Sequence, residues 1–232
     1  MPFEQIIAIV AFFLVLVFVW GVFKKLFKIM FYAGIIIFLL LAANLYFIYQ
    51  DFKDLRENFA VSEKKVILKD DDKILTGLLL NEDINLITDR QLNDYSYYLK
   101  NNDYEDILGS SYRLMIFDVD IISDVNDVEL DGAVITADEA LSTLKSDDSA
   151  PQEKAALFSV ILSDEILTPE NPLFFLSQFK EGNIAIYPET ALFKTIKIIP
   201  IDLFKDAAKS LFTKTKEKAK AFIVEEAEQG RV

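Results

Sequence analysis

Five aspartates, Asp118, Asp120, Asp124, Asp127 and Asp131, fall within fourteen residues of one another. Carboxylate oxygens at this density suit a hard cation such as calcium. The stretch lacks the Asp-x-Asp-x-Asp-Gly run and terminal Glu of an EF-hand, so a calcium site here would be an irregular one built on the loop Ser123–Gly132. Asp70, Asp71 and Asp72 are adjacent instead of spaced, which fits a solvated turn better than a converging cage. Cysteine and histidine are both absent. Thiolate nucleophiles, disulfides, Ser-His-Asp triads and zinc sites of imidazole or sulfur are therefore excluded.

The string Arg113-Leu-Met-Ile-Phe-Asp118-Val-Asp120 is an apolar strand ending in Asp-x-Asp. Over these eight residues it resembles the first motif of the haloacid dehalogenase-like phosphatases. That resemblance implies a Mg²⁺-dependent enzyme in which Asp118 attacks phosphorus and Asp120 serves as general acid. The family's motif continues with Gly-Thr where this chain has Ile121-Ile122. Lys145 and Asp147-Asp148 are similar to its later lysine and acidic pair, at a much shorter spacing.

Two groups of residues suggest recognition instead of catalysis. Tyr95 and Tyr98, with Tyr97 and Tyr104 nearby, offer large amphipathic rings with few rotors, which can either form a recognition surface or cover a core with their hydroxyls in water. From Asp202 onward, Phe204, Ala207, Ala208, Leu211, Phe212, Ala219 and Phe222 share one helical face, while Lys205, Lys209, Lys216 and Lys220 share another. Such a basic amphipathic helix can lie on a membrane, dock an acidic partner or pack on the chain's own acidic surface.

The element that positions everything else is the N-terminus, where two uncharged apolar runs, Ile6–Phe23 and Ile29–Tyr49, are separated by Lys24-Lys25-Leu26-Phe27-Lys28. A hydrocarbon core of roughly 30 Å needs about twenty helical residues, and the runs supply 18 and 21. An unbroken helix over both would be about 66 Å long and would carry three lysines into lipid. The expectation is a transmembrane hairpin over 1–50 that turns at the lysines. Trp20, Tyr32, Tyr46 and Tyr49 stand at its boundaries, as interfacial aromatics do. Lys24, Lys25 and Lys28 place the loop in the cytoplasm and both flanks outside, although Lys53, Arg56, Lys64, Lys65 and Lys69 follow the second run. Asn44 is the one amide within that run, able to hydrogen-bond a neighbouring helix or reach headgroups; Ala8 and Ala11 on the first run would permit close approach.

Beyond the membrane segment, residues 51–201 fit one soluble α+β domain with a sheet of five or six strands, followed by the basic helix over 202–232. The first fifty residues carry three lysines and one glutamate, so the remaining 21 basic and 36 acidic residues leave the rest near −15. That balance disfavours nucleic acid. Strands are expected at Lys65–Lys69, Ile74–Leu80, Arg113–Asp120, Ala133–Ile135, Asn183–Tyr187 and Thr195–Ile199. Capping boxes at Thr88 and Thr136 open helices, Pro151 opens a core helix through Ala155, Phe158 and Ile161, and Asn171-Pro172 opens a short one that Gly182 stops.

These features predict a non-enzymatic, membrane-anchored interaction or assembly protein, prokaryotic by its lysine-rich composition, with the acidic domain outside the cell membrane. Its expected partners are the bilayer and another membrane or surface protein, with homo-oligomers as a further form. No cofactor is expected. The alternatives are the Mg²⁺-dependent phosphatase implied by the resemblance and an extracytoplasmic calcium-binding domain.

Overall fold

A computed structural model describes residues 3–59, 61–81, 84–130, 132–168, 171–204 and 209. The chain divides into two compact units, Met1–Phe47 and Ile48–Val232. A single α-helix, α1 (Phe3–Asn58), accounts for the described residues of the first unit and continues to Asn58. The expected hairpin is thus not what the structure contains, for no turn interrupts the helix at Lys24–Lys28. The expectation of a turn rests on bilayer thickness, whereas local propensity favours continuation. Lys, Leu and Phe are tolerated in helix interiors, and no proline stands within the helix to free a carbonyl. Over residues 12–47 the apolar side chains are exposed all round, and a membrane-length span is present by length and composition.

The second unit is a mixed α+β domain around a five-stranded sheet. Strands β1 (Lys64–Asp70) and β2 (Lys73–Leu80) form the expected hairpin, closed by Asp71 and Asp72, with Asp71 at positive φ. The pairing slips at Leu68/Lys69, so β2 carries one extra residue there. A short β3 (Ile84–Leu86) then adds to β2, followed by α2 (Asp89–Lys100) and α3 (Tyr104–Leu108). Strand β4 (Arg113–Asp118) returns parallel to β1, at the centre of the sheet. After it come a 3₁₀ turn over Val119–Asp124 and a separate ribbon of β5 (Val128–Leu130) and β6 (Ala133–Ile135). Helices α4 (Ala137–Lys145), α5 (Pro151–Ile161) and α6 (Pro172–Glu181) precede β7 (Ile184–Tyr187), which pairs antiparallel with β4. The sheet order is β3-β2-β1-β4-β7.

Alternation along the strands sends side chains to two cores. Val66, Leu68, Met115 and Phe117 join Leu144, Phe158, Ile161, Phe175 and Phe179 of α4–α6. Ile67, Leu114 and Ile116 face the other way, onto Leu92, Tyr95 and Leu99 of α2 and Ile107 of α3. Gly77 permits the close approach of this second layer: a Cβ there would stand 2.9 Å from Ile87 Cδ1 and 3.0 Å from Leu92 Cδ2.

The strand expected at Thr195–Ile199 is instead part of a helix, α7 (Ala191–Ile198). Its β-branched residues suggest a strand, but Leu192, Phe193 and Ile196 lie at helical spacing and bury on α6, while Lys194 stays outside. Packing of that stripe overrides local preference. Beyond it a 3₁₀ turn covers Ile201–Phe204. The expected basic helix over 202–232 lies largely outside the described residues, Lys205, Lys216 and Lys220 included; Lys209 is described as helical.

Candidate functional site

The polar side chains that meet with the clearest geometry stand where the end of α1 joins the sheet. From Ile48 the helix changes character: Ile48, Phe52, Leu55 and Phe59 fall on one stripe and pack into the main core, while Gln50, Lys53 and Arg56 remain exposed. Leu55 and Phe59 are each only 6 % exposed. This terminal stem is a core element of the domain.

Polar contacts reinforce the stem. Asp54 accepts hydrogen bonds from the Tyr112 hydroxyl at 2.5 Å and from Arg113 Nη2 at 3.2 Å, and its other oxygen accepts from Asn58 Nδ2 at 2.7 Å. The Arg113 guanidinium stacks 4.1 Å from the Tyr112 ring centre and donates through Nη1 to the Tyr112 carbonyl; its buried Nε has no partner among the described residues. Burial, and then the hydrogen bond to the Asp54 carboxylate, push the Tyr112 phenol far above its usual value, so it remains a neutral donor. Asp51 accepts from Leu192 N at 3.0 Å and so caps α7, where Thr190 makes no side-chain cap. Lys64, opening β1 and 2 % exposed, donates to the carbonyls of Phe59 and Ser62 at the end of α1. Ser111 donates to Glu63 at 2.6 Å, and Tyr112 N to the Glu63 carbonyl. Most of these groups fasten the end of α1 to the residues that open β1 and β4, and Asp51 ties it to the start of α7.

At the opposite end of those strands the expected chemical residues are dispersed. Asp118 forms an ion pair with Lys69 at 2.7 Å and accepts from Asp120 N at 3.3 Å, capping the 3₁₀ turn. The Asp120 side chain is exposed. Asp124 accepts from the buried Gln178 at 3.0 Å, Asp127 is exposed, and Asp131 lies outside the described residues. Among the described residues no group of three acidic side chains is arranged to hold a metal ion. The β1–β2 turn is tied to the end of α4 by Lys145–Asp70 and to the segment after it by Lys73–Asp147, and the ammonium of Lys73 holds the Asp147 carboxyl below its ordinary range.

The tyrosines divide between core and surface. Tyr95 is buried, with the Lys65 ammonium 5.0 Å from its ring centre, and Tyr98 is partly buried against the same core. Lys65 meanwhile donates to the carbonyls of Ile107 and Leu108, so it holds the end of α3. Tyr97 is exposed. A shallow groove of about 230 Å³ lies between β2–β3 and the starts of α2 and α5, lined by Leu75, Leu86, Ile87, Leu92 and Pro151 with Thr76 and Gln152. In the first unit Lys24, Lys25, Lys28 and Asn44 are all exposed on α1.

The junction residues Asp54, Lys64, Tyr112 and Arg113 carry no local motif. Their contacts cross up to 59 positions of sequence, and only the start of an apolar strand at Arg113 marks any of them. No family model matches the chain, and neither the curated proteins nor the solved structures contain a match to it.

Proposed function

We propose that the protein is a non-enzymatic, membrane-anchored interaction or assembly protein that presents its acidic domain on a rigidly fastened stem. The observation that carries this reading is the stripe Ile48, Phe52, Leu55 and Phe59, which continues an apolar membrane-length helix directly into the domain's core. The titratable groups that it brings together are engaged in holding the stem, with Asp118 engaged at the far end of β4.

Because Ile6–Phe23 is as apolar as Ile29–Tyr49, we propose that in a bilayer both runs enter the lipid, which requires α1, continuous in the structure, to bend at Lys24–Lys28 on the cytoplasmic face. The domain then faces outward. The natural absence of cysteine allows a direct test. Single cysteines introduced by Lys25→Cys and Lys53→Cys are challenged in intact cells with a membrane-impermeant maleimide. Labelling at 53 but not at 25 is expected; the reverse pattern overturns the orientation, and labelling at neither puts the domain inside. For the interaction itself, mild-detergent purification should recover the protein with a partner or with further copies. Recovery of monomer alone, together with turnover of a phosphate ester lost in Asp118→Asn, would replace this reading with the phosphatase.

A further inference from the structure

We propose that the groove between β2–β3 and the starts of α2 and α5 binds a small aliphatic zwitterion, a free amino acid of leucine's class. Every group involved belongs to the domain, so the site does not depend on how the anchor meets the bilayer. Thr76 of β2 lines the groove, is only 3 % exposed and makes no hydrogen bond to any described residue. A buried hydroxyl without a partner is costly, and a polar ligand atom seated in the groove supplies one.

The two helices that begin at the groove differ in their first turns. Helix α2 is closed by the capping box of Thr88 and Gln91. Helix α5 has Ala150 at its N-cap, which offers no side-chain oxygen, and the backbone amides of Gln152 and Glu153 make no hydrogen bond to any described residue. Pro151 and Gln152 of this turn line the groove beside Thr76. Unbonded N–H groups at the positive end of a helix, joined by a buried hydroxyl, suit a carboxylate. Asp89 also lines the groove and forms no ion pair with any described residue, which suits an ammonium.

Charge then selects the ligand. A simple carboxylate meets repulsion from Asp89 and from the acidic domain, and a simple amine leaves Thr76 and the α5 amides unanswered. A zwitterion answers both ends and carries no net charge. Leu75, Leu86, Ile87 and Leu92 supply the apolar wall, and a volume of about 230 Å³ is below the roughly 300 Å³ at which sites for drug-sized ligands begin. A short branched aliphatic chain fits that space, whereas a helix or a long peptide does not.

The test is calorimetric titration of the detergent-solubilised full-length protein with L-leucine, isovalerate and isoamylamine. Leucine should bind at least about tenfold more tightly than either single-charge analogue. Thr76→Val, which keeps the shape of the side chain, should weaken leucine about tenfold or more without lowering the melting temperature. Asp89→Asn, at the surface, should weaken leucine and isoamylamine by about threefold to fivefold and leave isovalerate unaffected or improved. Gln152→Cys should be labelled by maleimide and protected by leucine. No leucine binding up to about 10 mM, equal binding by either analogue, unchanged affinity in Thr76→Val, or labelling at 152 indifferent to leucine each overturns the site.

Discussion

Leu55→Ala tests whether the stem belongs to the core of the domain. Leu55 is 6 % exposed and packs into the main hydrophobic cluster. Truncation removes three carbons at about 0.8 kcal/mol each, or roughly 2.4 kcal/mol. A cavity that only partly collapses raises the loss to about 3 to 4 kcal/mol. The comparison is Lys53→Ala on the exposed side of the same helix, whose 4.0 Å pair with Glu57 is solvent-exposed on both sides and contributes under about 0.5 kcal/mol. Urea unfolding of the detergent-solubilised full-length protein, read by pulse proteolysis of the domain, measures both. If Leu55→Ala falls within about 0.5 kcal/mol of Lys53→Ala, the stem is a tether and the rigid-presentation argument fails.

Asp54→Ala leaves the Tyr112 hydroxyl and the buried Arg113 guanidinium without their shared acceptor. A loss of about 1 to 3 kcal/mol is expected in the same assay, and a smaller one for Tyr112→Phe, which removes the donor while Arg113 keeps its carboxylate. Gly77→Ala should cost about 1 to 3 kcal/mol, since its Cβ would press on Ile87 and Leu92; a neutral result would mean that α2 yields. The Thr136 amide and hydroxyl hold the Glu139 carboxyl below its ordinary 4.5. A depressed folded value stabilises above the unfolded value and is lost as pH falls through the folded one. The acid limb of the stability profile below about pH 4.5 should therefore flatten in Glu139→Gln, and an unchanged profile would remove the capping box from the acid response. Asp118→Asn breaks the pair with Lys69, in which both side chains are 27 % exposed, and should cost under about 1 kcal/mol, measured by the same urea titration; a loss of several kcal/mol would show that the pair is structurally critical.

The regular local signals were legible in sequence because their physics is local. The Thr88 and Thr136 capping boxes, the Asp70–Lys73 turn, the Pro151 helix start and the left-handed stop at Gly182 all use residues within a few positions of one another. The long apolar helix was legible too, by composition alone. The continuity of α1 past Lys24–Lys28 was not, since the argument for a turn comes from the bilayer and not from the chain. Helix α7 was misread because Thr195–Ile199 shows β-branched preference locally, and only its burial on α6 selects the helical stripe. Asp118 and Asp120 resembled a catalytic pair as letters, yet tertiary pairing gives one to Lys69 and leaves the other in solvent. Likewise only the folding of α2 onto the sheet assigns Tyr95 to the core and leaves Tyr97 on the surface, both places being open to them in sequence. What the sequence determined by itself was a long apolar N-terminal segment compatible with a membrane anchor, the acidic character and the exclusions set by missing His and Cys. The joining of Asp54 to Tyr112 and Arg113 belonged to tertiary structure alone, because those groups, 58 and 59 residues apart, meet only once β4 lies beside β1 and the stem closes the core.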